Sequence, residues 1–204
     1  GSETDWNGIE ITYSKFPFSS RVSEEEKIKQ ILDWLSLPDD ERPRLIMTWW
    51  HGIDSTAHKY GINNKKTRQS LIQQDQHLLD LINQIKEKDL WKKVTLIVVS
   101  DHGMTDISNL ININELLKTS KIKAKSSIGP AIGHIFLEDQ NDLQKAMKAL
   151  KQNKFIEVKR KNEIHKSLNL LHPTRTGDIV VLTKSPNLLV SRKNNKPPIG
   201  IHGY

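Results

Sequence analysis

The run Val94-Thr95-Leu96-Ile97-Val98-Val99-Ser100, followed at once by Asp101-His102-Gly103-Met104, constrains this chain more than any other stretch. A continuous apolar run of β-formers predicts a central strand covered on both faces, as parallel sheets require. An acid, an imidazole and a glycine then arrive at the carboxyl end of that strand, where open α/β sheets bind ligands. Carboxylate oxygen and imidazole nitrogen are metal-ligand atoms. Gly103 is expected to allow a backbone turn that a Cβ would resist. The plain alternative is a strand and a turn, with Asp101 as a helix cap and His102 incidental.

Two other stretches add donors of the same kind. Asp54-Ser55-Thr56-Ala57-His58 follows a second strand-like run, Arg44 to Trp50. Asp54 and His58 are four apart, so on one helical turn they face the same side. The third stretch, Gly200-Ile201-His202-Gly203-Tyr204, sets a histidine between two glycines. An isolated Asp-x-x-x-His is usually a solvated helix face. Asp54, His58, Asp101, His102 and His202 together make a plausible two-metal kit.

These motifs stand in an ordered set. Trp6-Asn7-Gly8, Trp34-Leu35-Ser36-Leu37-Pro38 and Arg42-Pro43 precede or accompany Asp54-Ser55-Thr56-Ala57-His58-Lys59-Tyr60-Gly61. Asp101-His102-Gly103-Met104, Ile128-Gly129-Pro130, Arg175 to Val181 and Gly200 to Tyr204 follow. The whole resembles the nucleotide pyrophosphatase/phosphodiesterase family of the alkaline phosphatase superfamily. That resemblance implies two divalent ions, usually zinc, and hydrolysis of a nucleotide or another phosphodiester. Asp54, His58 and His202 would hold one ion, Asp101 and His102 the other. Family members complete the second site with an Asp and attack with a Thr or Ser, both upstream of their Trp-Pro-Gly landmark. Only five residues precede Trp6, so the expectation is a partial catalytic domain without its nucleophile, inactive alone. Gly1-Ser2 resembles a protease-cleavage remnant. The family gives neither Thr56 nor Thr105 the nucleophile's role. Trp6, Tyr13 and Trp49 are the expected substrate contacts, with a nucleotide, a phosphocholine lipid or a sugar-nucleotide as substrate. Gly52-Ile53-Asp54 departs from the family's Glu-Pro-Asp, which removes an acid beside the metal-type Asp.

With 204 residues, one domain is expected. Residues 1–22 read as a loop, which the resemblance implies lines the pocket, and 23–204 as an α/β core. Ser23 with Glu26 forms a capping box before Ile28, Ile31, Leu32 and Leu35 at helical spacing. A long helix is predicted over 64–89, with Leu71, Leu78, Ile82 and Ile85 inward, and another over 139–151, with Leu143, Met147 and Leu150 inward. His77 lies on the first of these with no evident partner. Strands are predicted over 44–50, 94–100, 131–137, 155–158, 177–183 and 188–190. Alternating strands and helices predict a mostly parallel sheet with helices on both faces, alkaline-phosphatase-like and short of its N-terminal portion. An absent central strand would leave a sheet edge open to self-association.

The net charge of +7 favours anionic partners by steering, or simply reflects a lysine-rich composition. Lys154, Lys159, Arg160, Lys161 and Lys166 cluster without aromatic interleaving, so a solvated face is favoured over a specific nucleic-acid site. An inactive fragment or pseudoenzyme binding anions or nucleic acid is the alternative reading. No run approaches the roughly 18 apolar residues of a membrane span. The family is often secreted or membrane-anchored and rich in disulfides and glycans, yet this sequence has no cysteine and no Asn-x-Ser/Thr sequon.

Overall fold

The computed structural model describes residues 11–14, 21–192 and 196–204. The chain, expected to form one domain, divides into two compact units: Gly1–Thr56 with Lys65–Val99, and Ala57–Asn64 with Ser100–Tyr204.

The first unit is built on helices. Helix α1 (Glu24–Leu35) begins with the predicted capping box: Ser23 Oγ accepts from Glu26 N–H, and Glu26 returns the bond to Ser23 N–H. These two bonds satisfy amide donors that the first turn leaves without intrahelical acceptors. Helix α2 (Gly52–Tyr60) crosses the division between the units. Helix α3 (Lys65–Glu87) fills the long predicted helix. Ile28, Ile31, Leu32 and Leu35 of α1 form one buried cluster with Leu81 and Ile85 of α3. The expectation for Leu71 fails, because it is 55% exposed and Leu81 is buried instead. Helix α3 has 23 residues and α1 only 12, so α1 spans about half of it.

The two runs predicted as central strands, 44–50 and 94–100, form no ladder among the described residues. Ile46, Trp50 and Val94 pack against the α1/α3 cluster. Leu45, Met47, Ile97, Val98 and Val99 are each at least 67% exposed. Their composition is that of buried strands, but a strand also needs a hydrogen-bonding neighbour and a second covering layer. The described residues supply neither.

The second unit holds all the paired strands among the described residues. In chain order they are β1 (Thr105–Asp106), β2 (Asn109–Asn112), β3 (Ala124–Ile128), β4 (Ile132–Leu137), β5 (Ile156–Arg160), β6 (Ile179–Thr183), β7 (Asn187–Val190) and β8 (Gly200–Ile201). Helix α4 (Ile113–Thr119) is capped by Asn112, whose side chain accepts from Glu115 N–H. Helix α5 (Leu143–Lys151) follows β4, as its periodicity predicts. The main sheet has the order β3-β4-β6-β5, antiparallel throughout. β2 pairs with β7 in parallel, and β1 with β8 antiparallel. The α/β class is as expected, while most described pairings are antiparallel rather than parallel. The connections explain part of this: only Gly129, Pro130 and Ala131 separate β3 from β4, too few for the crossover that parallel strands need. One buried cluster joins α4, α5 and the strands through Ile113, Leu117, Ile135, Met147, Leu150, Val158, Ile179 and Val181.

Candidate metal centre

Residues far apart in sequence meet where β8 runs past α2 and β1. Asp106 pairs with Gly200 and Thr105 with Ile201. Ile199 N–H donates to the carbonyl of His58 (2.8 Å), so β8 is tied to α2 as well as to β1. His58 Nδ1 lies 2.8 Å from Gly200 O. A carbonyl only accepts, so Nδ1 carries the proton and Nε2 becomes the metal-binding atom of a neutral ring. A Cβ on Gly200 would lie 2.5 Å from the carbonyl oxygen of Ala57. Only glycine allows this approach of β8 to α2. Asp106 adds a tie: its Oδ1 accepts from Ile62 N–H at 2.7 Å, holding the turn after α2.

His58 and His202 have ring centroids 5.1 Å apart, and His102 stacks on His202 at 3.6 Å with 12° between planes. Asp54 stands one turn before His58 on α2, so their relation is fixed by the continuous helix. Asp54, His58 and His202 each offer a ligand atom, all within 4.8 Å of one another. All three are partly buried. One carboxylate and two imidazoles form a donor set of the kind that holds zinc. The residues therefore fit a divalent ion.

Asp101 and His102 form a pair of donors beside this trio. Asp101 Oδ1 accepts from His102 N–H at 3.0 Å, and His102 Nδ1 lies 3.0 Å from Gly103 O. No third donor joins them among the described residues. Gly103 has open space where a Cβ would stand and no positive φ, so the expectation that it serves a special turn is not met. Positive φ occurs instead at Gly203, next to His202.

The expected substrate contacts fall differently. Trp6 lies outside the described residues. Tyr13 donates its hydroxyl to Glu41 O at 3.1 Å and its ring lies 6.0 Å from Trp34, contacts that fold a loop onto α1. Trp49 lies 5.5 Å from His51, ring to ring, with Lys27 Nζ 5.8 Å from its centroid. Other histidines serve the fold: His77 sits 3.6 Å from Glu25, a partner not seen in the sequence, and His172 Nδ1 accepts amide hydrogens from Thr174 and Arg175. Sequence reasoning missed Gly200 and Asp106 as supports. The glycines flanking His202 were a signal for the first, whereas nothing in the sequence marked the second.

The sequence matches the Type I phosphodiesterase / nucleotide pyrophosphatase family over residues 1–204, and the chain belongs to that family. An uncharacterised pyrophosphatase/phosphodiesterase of Schizosaccharomyces pombe is 26% identical over 218 residues, covering 100% of this chain and 44% of the yeast protein. Murine ectonucleotide pyrophosphatase/phosphodiesterase 5 superposes with a TM-score of 0.84 at 25% identity, over 100% of this chain and 54% of its own. An inactive variant of the murine protein, solved in complex with AMP, gives 0.81 at 25% identity over 97% and 52%. The chain thus spans about half the length of these relatives.

Proposed function

We propose that this chain carries the metal-binding part of a hydrolase of phosphodiester or pyrophosphate bonds, with a nucleotide as substrate. The convergence of Asp54, His58 and His202 within 4.8 Å carries the reading. Family membership and the AMP complex of the murine relative support the substrate class. In this reading Asp54, His58 and His202 bind one divalent ion, and Asp101 and His102 contribute to a second, with zinc as the favoured metal. Such ions stabilise the attacking and leaving oxygens of an in-line displacement at phosphorus. The chain's own residues prepare that chemistry. Gly200 O holds the His58 ring and sets its tautomer. His102, stacked on His202, holds that ring's plane. Trp49, whose ring lies against His51 and Lys27, is the candidate contact for a base in this reading.

Neither Thr56 nor Thr105 is assigned as the nucleophile. Thr56 Oγ1 donates to Gly52 O at 2.7 Å within its own helix, and Thr105 Oγ1 lies 2.8 Å from Ser185 Oγ. In this reading the chain alone is expected not to hydrolyse a nitrophenyl phosphodiester above background.

Calorimetric titration with Zn²⁺ tests the reading. The wild-type chain binds, and Asp54→Asn and His202→Asn each weaken binding by about tenfold or more, as loss of a ligand predicts. Equal affinity in all three proteins would overturn the assignment.

A further inference from the structure

The start of α2 is clamped by a polar cluster that the metal site itself does not use. The carbonyl of His51 accepts the first helical bond, from Ser55 N–H at 3.0 Å, so His51 is the residue from which α2 grows. Its ring Nδ1 lies 3.2 Å from Lys27 Nζ. An ammonium has no lone pair to accept with, so Lys27 donates and His51 receives. Glu24 sits one turn before Lys27 on α1, with Oε1 3.7 Å from Nζ. Gln74 on α3 donates to the same Oε1 at 3.2 Å. The side chains of Glu24, Lys27 and His51 are only 13–14% exposed. Lys27 also reaches the face of Trp49. A Cβ on Gly52 would meet Gln74 Nε2 at 2.7 Å, which shows how closely the first turn of α2 lies against α3.

An exposed lysine pair contributes little to a fold, because solvent screens it and the side chain's freedom is lost. A lysine this covered, set between Glu24 of its own helix and His51 and Trp49 of the segment that leads into α2, is a different object. Removing its charge leaves Glu24 covered by protein without its cation, and leaves His51 without the donor that orients its ring. Asp54 follows His51 by three residues on a stiff helix. A rotation at the first turn is therefore carried to its carboxylate.

The geometry points to Lys27 as a positioning residue for the metal group: with Glu24 it fixes His51, and through the first turn of α2 it sets where Asp54 stands. This inference rests on the metal reading above and adds a residue 27 positions earlier in the sequence that touches no ligand. Metal sites lose roughly 10- to 100-fold in affinity when the groups orienting their ligands are removed, and a support acting through a helix belongs at the lower end.

The test is Zn²⁺ titration of the whole chain carrying Lys27→Met, Lys27→Arg or His77→Gln, with the melting temperature of each. His77 also joins α3 to α1, through Glu25, but lies outside the clamp. Lys27→Met is expected to weaken Zn²⁺ binding about tenfold. Lys27→Arg should recover most of that loss, and His77→Gln should leave affinity unchanged at a similar melting temperature. If Lys27→Met and His77→Gln bind Zn²⁺ as tightly as wild type, the clamp has no positioning role and the inference falls while the metal reading stands. If His77→Gln weakens binding as much as Lys27→Met, the effect is general loosening of the helices, and the inference falls as well. Should Lys27→Met fail to fold, Glu24→Gln takes its place with the same expected result. Absence of Zn²⁺ binding by the wild-type chain removes the metal reading itself, before any variant is compared.

Discussion

Two runs of nearly the same composition meet opposite fates here. Ile179-Val180-Val181-Leu182-Thr183 is β6, paired on one side with β4 and on the other with β5, and its first three residues are 0% exposed. Val94 to Ser100 has a longer run of the same residue types, yet Ile97, Val98 and Val99 are 75%, 67% and 82% exposed. β-Propensity describes a side chain that suits a pleated, covered surface and cannot supply that surface. β6 has two neighbours that return its amide and carbonyl bonds, and α5 belongs to the same buried cluster. The run 94–100 has α1 and α3 behind Val94 and no ladder among the described residues.

The widest gap between the two runs should be in stability. Ile179→Ala removes a fully buried side chain from a packed cluster and is expected to cost about 2–5 kcal/mol in urea unfolding. Ile97→Ala should cost less than about 0.5 kcal/mol, as exposed substitutions do. A comparable loss at both positions would mean that the run 94–100 is covered in solution. Sedimentation over a concentration series would then reveal whether a second copy covers it, and Ile97→Lys should abolish such pairing.

Gly200→Ala probes the shortest strand by the same logic. β8 has two residues and exists because β1 and α2 lie close on either side. The new Cβ meets a backbone carbonyl, which cannot step aside as a flexible side chain can. Zn²⁺ affinity should fall about 10- to 100-fold, because the His58 ring loses its anchor. Unchanged affinity would mean that β8 need not approach α2 to present His202.

The smallest effect is a pH dependence confined to the paired sheet. His134 lies on β4 opposite Val180, and burial lowers its pKa from the usual value of 6.5. The unfolded chain therefore takes up this proton first as pH falls. Stability from this group is intact above pH 6.5 and declines below it, until the folded form is protonated too. His134→Gln should flatten that part of the stability profile, measured by urea unfolding from pH 7.5 down to pH 5, each pH chosen to bracket the ordinary histidine range. An unaltered profile would show that His134 is as solvated as an unfolded histidine.

The elements that the sequence made legible are those held by local bonds. Ser23, Glu26 and the apolar spacing of α1 sit within a few residues of one another, and so do Leu143, Met147 and Leu150 of α5. The helix over 64–89 was equally plain, although its inward face was misread at Leu71, because which turns are covered depends on the length of α1. Strand identity was less legible: 131–137 and 177–183 became β4 and β6, whereas 44–50 and 94–100 joined no ladder among the described residues. In the candidate site, donor types, the glycine-flanked His202 among them, and the Asp54–His58 spacing could be read directly, and the resemblance grouped Asp54, His58 and His202 on one ion. The Gly200 carbonyl, Asp106 and Lys27 could not be found that way, since their contacts join residues distant in sequence.

The sequence by itself determined where helices start and which side chains can ligate a cation, since caps and helical turns bind residue i to i+3 or i+4 and a side chain's chemistry belongs to it alone. Only the tertiary structure decided that β8 passes α2 closely enough for Gly200 O to hold His58. The partners in that bond are 142 residues apart. A ladder or a close approach between such distant residues depends on every element that folds between them.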